Sequence, residues 1–163
     1  GAMEGMIFEV NSRRRFIEAQ AIPSYDEYMD SGKKSIASPI VCAAMLSALG
    51  PDIDPMTIKL HAHAMDEFAY TGGACVRLAN DVRSFAREAE VEKRPNSMMI
   101  LLISDQLSEA AAEAEVIRRA NDALLEMTEQ AKALPNPLAR WARSSRSFTA
   151  LMRDWYMVRE FHD

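Results

Sequence analysis

Apolar residues recur at helical intervals along this chain, and no stretch alternates apolar and polar positions in the manner of a strand. The first clear start signal is Ser24 with Glu27 three residues on, a capping box that predicts a helix running to about Ser31. Gly32 is read as interrupting it. A second apolar stretch, Ile36 to Leu49, ends at Gly50-Pro51, and Pro39 either opens that helix in its first turn or kinks it. Asp52-Ile53-Asp54, set between two prolines, reads as a turn and helix cap. From Pro55 a long helix is expected to reach Val91. Its Gly72-Gly73 pair would cost about 2 kcal/mol in a helix interior, which predicts a loosened turn and close approach by a ligand or another helix. Beyond Pro95, Asn96 to Ile103 forms a short apolar helix. Ser108 to Leu134 is a long one, with Val116, Ala120, Leu124 and Met127 as its inner stripe. Pro135-Asn136-Pro137 turns the chain into a last helix reaching about Phe161, whose inner stripe is Trp141, Phe148, Leu151, Met152 and Trp155. The expected fold class is all-α, a helical bundle without internal repeats.

With 163 residues the chain can make one domain and bury a fair core. A formal net charge of −5 argues against a nucleic-acid partner, and means that an anionic substrate would need metal ions or local arginines to bind. Cys42 and Cys75 make no disulfide framework, which fits a reducing cytoplasm, and both are expected to be small buried hydrophobes. No apolar run approaches the roughly 20 residues of a membrane span, and no secretory signal is read at the start. A cytoplasmic location is therefore expected. Gly1-Ala2-Met3 resembles a scar of tag cleavage, which leaves residues 4–163 as the domain. His61 and His63 stand two apart and point to different sides of a helix, whereas helical zinc pairs need an i,i+4 spacing.

The chemistry concentrates in Arg77-Leu78-Ala79-Asn80-Asp81-Val82-Arg83-Ser84-Phe85-Ala86-Arg87-Glu88. Each step of four advances about 400° around a helix, so Asn80, Ser84 and Glu88 fall within an arc of about 80°. An amide, a hydroxyl and a carboxylate converging there form an all-oxygen set with one formal charge. That set suits a hard cation keeping other ligands of its own, such as magnesium with water and phosphate oxygens. Arg77, one turn earlier on the same side, can fork onto a phosphate. By spacing alone the triplet would arise by chance in roughly one chain in ten of this length, and a polar helix face with ordinary i,i+4 bonding is the competing reading.

The same residues resemble the Asn-Asp-x-x-Ser-x-x-x-Glu magnesium motif of class I terpene synthases, commonly preceded by Arg-Leu-x. Upstream, Pro23-Ser24-Tyr25-Asp26-Glu27-Tyr28-Met29-Asp30-Ser31-Gly32 and Ser35-Ile36-Ala37-Ser38-Pro39-Ile40-Val41 are similar to stretches of diterpene synthases, the second to ent-kaurene synthases in particular. Lys93-Arg94-Pro95-Asn96-Ser97 is similar to a Gly-Lys-Leu-Asn-Ala stretch, with the asparagine displaced by one and Glu92 in place of the glycine. Trp155-Tyr156-Met157 resembles the Phe-Tyr-Met near the family's C-terminus. The similarity extends over about residues 15 to 160. One departure stands out, since the family's aspartate-rich Asp-Asp-x-x-Asp motif has no counterpart in this sequence.

The resemblance implies a class I terpene synthase bundle, of which this chain is the C-terminal half. It implies Mg2+ at Asn80, Ser84 and Glu88, catalytic roles for Arg77 and for Tyr156 in a C-terminal lid, and substrate contacts from Ser38, Ile40, Val41, Arg77 and Lys93. Phe68, Tyr70, Phe148 and Trp155 are further aromatic candidates for lining a cation's cavity. The implied substrate is a prenyl diphosphate, with geranylgeranyl or copalyl diphosphate favoured and farnesyl diphosphate as the alternative. The implied partner is an N-terminal half or second chain bearing the aspartate-rich motif, and a homo-oligomer burying the otherwise exposed stripe is a further expectation. A helical binding or assembly domain with a relict motif stays open as a different class of function.

Overall fold

The computed structural model describes residues 2–50 and 52–158. They form seven α-helices: α1 (Ala2–Ala19), α2 (Tyr25–Ser35), α3 (Ser38–Leu49), α4 (Pro55–Arg87), α5 (Ser97–Ser104), α6 (Glu109–Ala133) and α7 (Asn136–Val158). A single π-helical turn, Glu88–Glu92, extends α4. Among the described residues there is no strand, in keeping with the all-α reading.

The caps explain the boundaries. Ser24 accepts from the Glu27 N–H while the Glu27 carboxylate accepts from Ser24, so the capping box is reciprocal. Asp54, Asn96 and Ser108 each cap the helix that follows by accepting from the N–H three residues on. Pro39 opens α3 in its first turn rather than kinking it, and the break from α2 falls at Ile36, which has extended backbone.

α4 is the axle of the bundle, packed against α2, α3, α5, α6 and α7, while α1 lies on α2. Its N-terminal half meets α3, α6 and α7 in one apolar cluster built on Phe68, Met127, Leu138 and Trp141. Phe68 and Trp141 rings lie 5.2 Å apart, and the Trp141 indole N–H donates to the Cys42 carbonyl at 2.8 Å. Its C-terminal half meets α5 and α6 through Leu78, Met98, Leu101, Val116 and Ala120. Each fully buried large side chain contributes roughly 1.5–3 kcal/mol. The expected α6 stripe of Val116, Ala120, Leu124 and Met127 is buried throughout. Cys42 and Cys75 are buried free thiols, and burial pushes Cys75 up to about 11.

Several expectations need correction. Gly32 does not interrupt α2, because the helix continues through it and the Arg77 side chain lies directly on its Cα. The Gly72-Gly73 turn is not loosened; α4 is unbroken there, and the close neighbour is helix α2. The α-helix stops at Arg87 instead of Val91, with Lys93 in the left-handed region closing the π turn. On α7 the inner face is Leu138, Trp141, Ala142, Ser145, Thr149 and Tyr156, whereas Leu151 is 64 % exposed. Residues 159–161 of that expected helix lie outside the described residues. α1 carried no capping signal and was not anticipated.

The two glycines of α4 should respond differently to a methyl group. A Cβ on Gly73 would sit 2.3 Å from the Lys33 carbonyl oxygen, whereas one on Gly72 would meet only side-chain ends, the Met127 methyl and the Thr149 hydroxyl, each at 3.1 Å. Gly73→Ala should therefore destabilise by about 1–3 kcal/mol, and Gly72→Ala by distinctly less because alanine's helix propensity offsets the crowding. Chemical denaturation of both variants checks the order.

Candidate functional site

The C-terminal half of α4 and the π turn carry an unusual density of buried charge. Arg77, Asp81 and Glu88 are all below a tenth exposed, on a stretch of α4 and its π turn that also packs the apolar clusters of Leu78 and of Val76 with Ala79. Buried ions are tolerated only when each is met by partners, and here every one is.

Arg77 reaches across Gly32 and its terminal nitrogen pairs with the Glu9 carboxylate of α1 and donates to the Ser35 hydroxyl at 2.7 Å. Ser35 in turn donates to Glu9. Burial opposes the guanidinium charge, but Tyr28, Asp81, Glu9 and Glu88 more than offset this and raise its pKa. Its Nε is buried without a hydrogen-bond partner, so the group's donor capacity is only part used.

Asp81 is fully buried and accepts from the Tyr28 hydroxyl at 2.9 Å on both oxygens and from the Ser97 N–H at 3.0 Å. Burial pushes this carboxyl up to about 6, against the pull of Arg77. Burial and the facing Asp81 also hold the Tyr28 phenol well above its ordinary range, so it stays a donor. Asn96 completes the junction, donating to the Asp81 carbonyl at 3.2 Å and to Glu88 at 3.0 Å while capping α5.

Glu88 is 1 % exposed and pairs with Arg94 through its other oxygen. The left-handed Lys93 ends the π turn and folds the chain back so that Arg94 can reach it; the Arg94 N–H also closes onto the Glu88 carbonyl at 3.0 Å. Ser84 is fully buried and spends its proton on the Asn80 carbonyl at 2.8 Å, which leaves its lone pairs for other use. Asn80 is half-buried at the edge of the same face.

The spacing therefore brings Arg77, Asn80, Ser84 and Glu88 onto one side of α4 and its extension. Tyr156 is buried beside them against Val76 and Ala79, edge-on to Trp155 at 5.1 Å. Lys93 is exposed, and it is its neighbour Arg94 that meets the motif. Ser38, Ile40 and Val41 lie in the first turn of α3; Ser38 is buried, Val41 half-buried and Ile40 59 % exposed. Of the other aromatic candidates, Phe68 belongs to the core and Tyr70 and Phe148 are half-buried. Sequence reasoning missed Glu9, Tyr28, Arg94 and Asn96 as members of the cluster. Only Arg94 and Asn96 carried a local signal, sitting within eight residues of Glu88 around a proline.

Among the described residues no three His, Cys, Asp or Glu side chains converge on a metal site. A cation here would have to use amide and hydroxyl oxygens, and that is the set the motif presents. By the chemistry of their donors Asn80, Ser84 and Glu88 suit a hard divalent ion, while both Glu88 oxygens are engaged by Arg94 and Asn96 and the Arg77 Nε, without a hydrogen-bond partner, faces Gly32. The pocket at Arg77, lined by Phe8, Glu9, Ser12, Tyr28, Arg94 and Pro95, measures about 10 Å3, room for about one water.

A family model described as terpene synthase family 2, C-terminal metal binding, matches residues 2–126. The chain is 28 % identical over 126 residues to an ent-cassa-12,15-diene synthase of Oryza sativa subsp. japonica, covering 73 % of this chain and 15 % of that protein. It is 29 % identical over 103 residues to the ent-cassa-12,15-diene synthase of Oryza sativa subsp. indica, covering 62 % and 12 %. It is 28 % identical over 118 residues to a chloroplastic kaurene synthase like 2 of Isodon rubescens, covering 69 % and 15 %. The chain thus spans about a seventh of the length of these relatives. No solved structure matches it.

Tyr28→Phe isolates the junction beneath the motif. It removes the hydroxyl that serves both Asp81 oxygens and leaves a buried carboxylate short of a donor. The expected loss is about 1–3 kcal/mol of stability, read from urea denaturation with the folded circular dichroism unchanged.

Proposed function

Since the chain belongs to the terpene synthase family, we propose that it provides the magnesium- and diphosphate-binding side of a class I diterpene synthase. The observation that carries this reading is the single face on which Asn80, Ser84 and Glu88 stand with Arg77 one turn before them. The substrate in this reading is a prenyl diphosphate, with geranylgeranyl or copalyl diphosphate ahead of farnesyl because the named relatives are diterpene-type synthases. Bound at those three side chains, magnesium would neutralise the charge that gathers on the diphosphate as its C–O bond breaks.

The chain's own residues have definite tasks. Arg77 offers a guanidinium held charged by its surroundings, with its Nε available to a phosphate oxygen. Asp81, Tyr28 and Asn96 keep α2, α4 and α5 in register, so that the donors do not have to reorganise when charge develops. Tyr156 and the first turn of α3, with Ser38, Ile40 and Val41, are the apolar and dipolar surfaces proposed to face the hydrocarbon. Leaving-group neutralisation by one helix is half a clamp. The opposing carboxylates, absent from this sequence as an Asp-Asp-x-x-Asp motif, are proposed to come from another segment or a second chain. The proposal is thus a C-terminal half that is catalytically silent by itself.

The relict-domain reading keeps one observation in its favour, that Arg77 and Glu88 are both already answered by side chains of this protein. Two measurements decide. Asn80 is half-buried, so Asn80→Ala should leave the melting temperature nearly unchanged while weakening Mn2+ binding in the presence of inorganic diphosphate at least about tenfold, measured by electron paramagnetic resonance. Equal affinity in the variant would place the metal elsewhere. The 163 residues should give no hydrocarbon from geranylgeranyl diphosphate and magnesium, and should recover turnover when a polypeptide bearing the aspartate-rich helix is added. Steady turnover by a verified monomer would sink the half-domain proposal.

A further inference from the structure

The two ends of the candidate site are already occupied by charges of the protein itself. The Arg94 guanidinium rests on Glu88, and the Glu9 carboxylate rests on Arg77. The second pairing is the informative one, because Glu9 belongs to α1 and lies 68 residues away in sequence. It is an anion from a separate helix, seated on an arginine whose Nε is buried without a hydrogen-bond partner.

α1 is built to hold that carboxylate in place. Gly5 packs so tightly on α2 that a Cβ would lie 2.8 Å from the Ser31 carbonyl oxygen. Ser35 of α2 bridges Glu9 and Arg77. One turn after Glu9, Arg13 donates to the Glu92 carbonyl at 3.0 Å and ties the helix to the π turn. With α1 seated, Phe8, Glu9 and Ser12 close the pocket over Arg77. A diphosphate has no path to the guanidinium while they stay there.

The attachment is also one that can be undone. Gly5 and Ser12 are the residues buried along α1 and Phe8 and Phe16 are half-buried, while Met3, Met6, Ile7, Val10 and Ile17 are more than half exposed. It is held by polar contacts more than by apolar burial, and polar contacts are exchanged for a better anion without loss of core. We propose that Glu9 is an internal stand-in for the diphosphate, and that α1 is a latch which a diphosphate must displace to reach Arg77. This rests on Arg77 being the diphosphate seat. The carboxylate carries one charge and the diphosphate several, so the exchange runs toward the ligand once it is metal-loaded.

A competitor of this kind lowers apparent affinity by the fraction of molecules in which the seat is free. A charge-assisted pair contributing about 1.5–3 kcal/mol corresponds to a ten- to hundredfold effect. Inorganic diphosphate with Mg2+, titrated calorimetrically into the full chain, should therefore bind about ten- to a hundredfold more tightly to Glu9→Gln than to the wild type. Glu9→Asp, with the carboxylate drawn back by one methylene, should shift several-fold in the same direction and guards against a folding defect in the first variant. In the wild type, diphosphate should speed hydrogen exchange across residues 2–19, a change that a merely structural ion pair would not show. Affinity in both variants no higher than in the wild type, measurable or not, overturns the latch. Retained metal dependence on Asn80 alongside neutral Glu9 variants would fail the latch alone. Tightening at Glu9 with metal binding indifferent to Asn80→Ala would fail the metal reading alone.

Discussion

A guanidinium withdrawn from water keeps its charge and therefore requires acceptors around it, and Arg77 imposes that demand on the helices it touches. α1 answers with Glu9, and α2 with Ser35 and the ring of Tyr28, whose centroid lies 5.8 Å from the guanidinium carbon. α4 itself adds Asp81, one turn on. Asp81 is a second buried ion and brings its own demand, met by the Tyr28 hydroxyl and by the first N–H of α5. Four helices are thus connected through two charges. Hydrogen bonds are directional where apolar contact is not, so this network sets the register in which the apolar clusters then pack.

The same charge depends on missing side chains. Arg77 lies flat across Gly32, where a Cβ would come within 3.0 Å of its Nε, and α2 approaches α4 closely enough for the Lys33 carbonyl to touch Gly73. Glycine inside a helix is unfavourable by about 1 kcal/mol relative to alanine. Here that loss is offset by the close packing of the Arg77 side chain on Gly32 and by partners within reach. Gly32 and Gly73 explain why two helices that local propensity would weaken are continuous in the folded chain.

Legibility from the amino-acid sequence followed the range of the interaction. The caps at Ser24 and Asp54, the helix starts at Asn96 and Ser108 and the α6 stripe act within a turn or two, and they are where the pattern placed them. α1 escaped because its buried seam is Gly5 and Ser12 while most of its apolar residues are exposed, so hydrophobic periodicity reports the wrong face. The α7 stripe was misjudged for the converse reason. Ser145 and Thr149 are buried, and Thr149 returns its hydroxyl to the Ser145 carbonyl at 3.0 Å, which makes a polar residue acceptable where apolar Leu151 was expected. Glycine pairs were read correctly as permitting close approach but wrongly as loosening the helix, since approach by another helix stabilises what a lone helix would not keep.

The motif shows the limit most clearly. Asn80 and Asp81 are neighbours, so they stand about 100° apart on the helix, and that angle separates a half-buried amide at the rim from a carboxylate with no exposure at all. Spacing identifies which oxygens share a face; it is silent on which of them the rest of the fold will claim. Asp81 is claimed by α2 and α5 as a structural anion, and Glu88 by Arg94 and Asn96, while Asn80 and the lone pairs of Ser84 are left over. In the proposed reading a cation would take Glu88 only by exchange with Arg94. What lets these ions stand in a helical core is that each is paired within the fold.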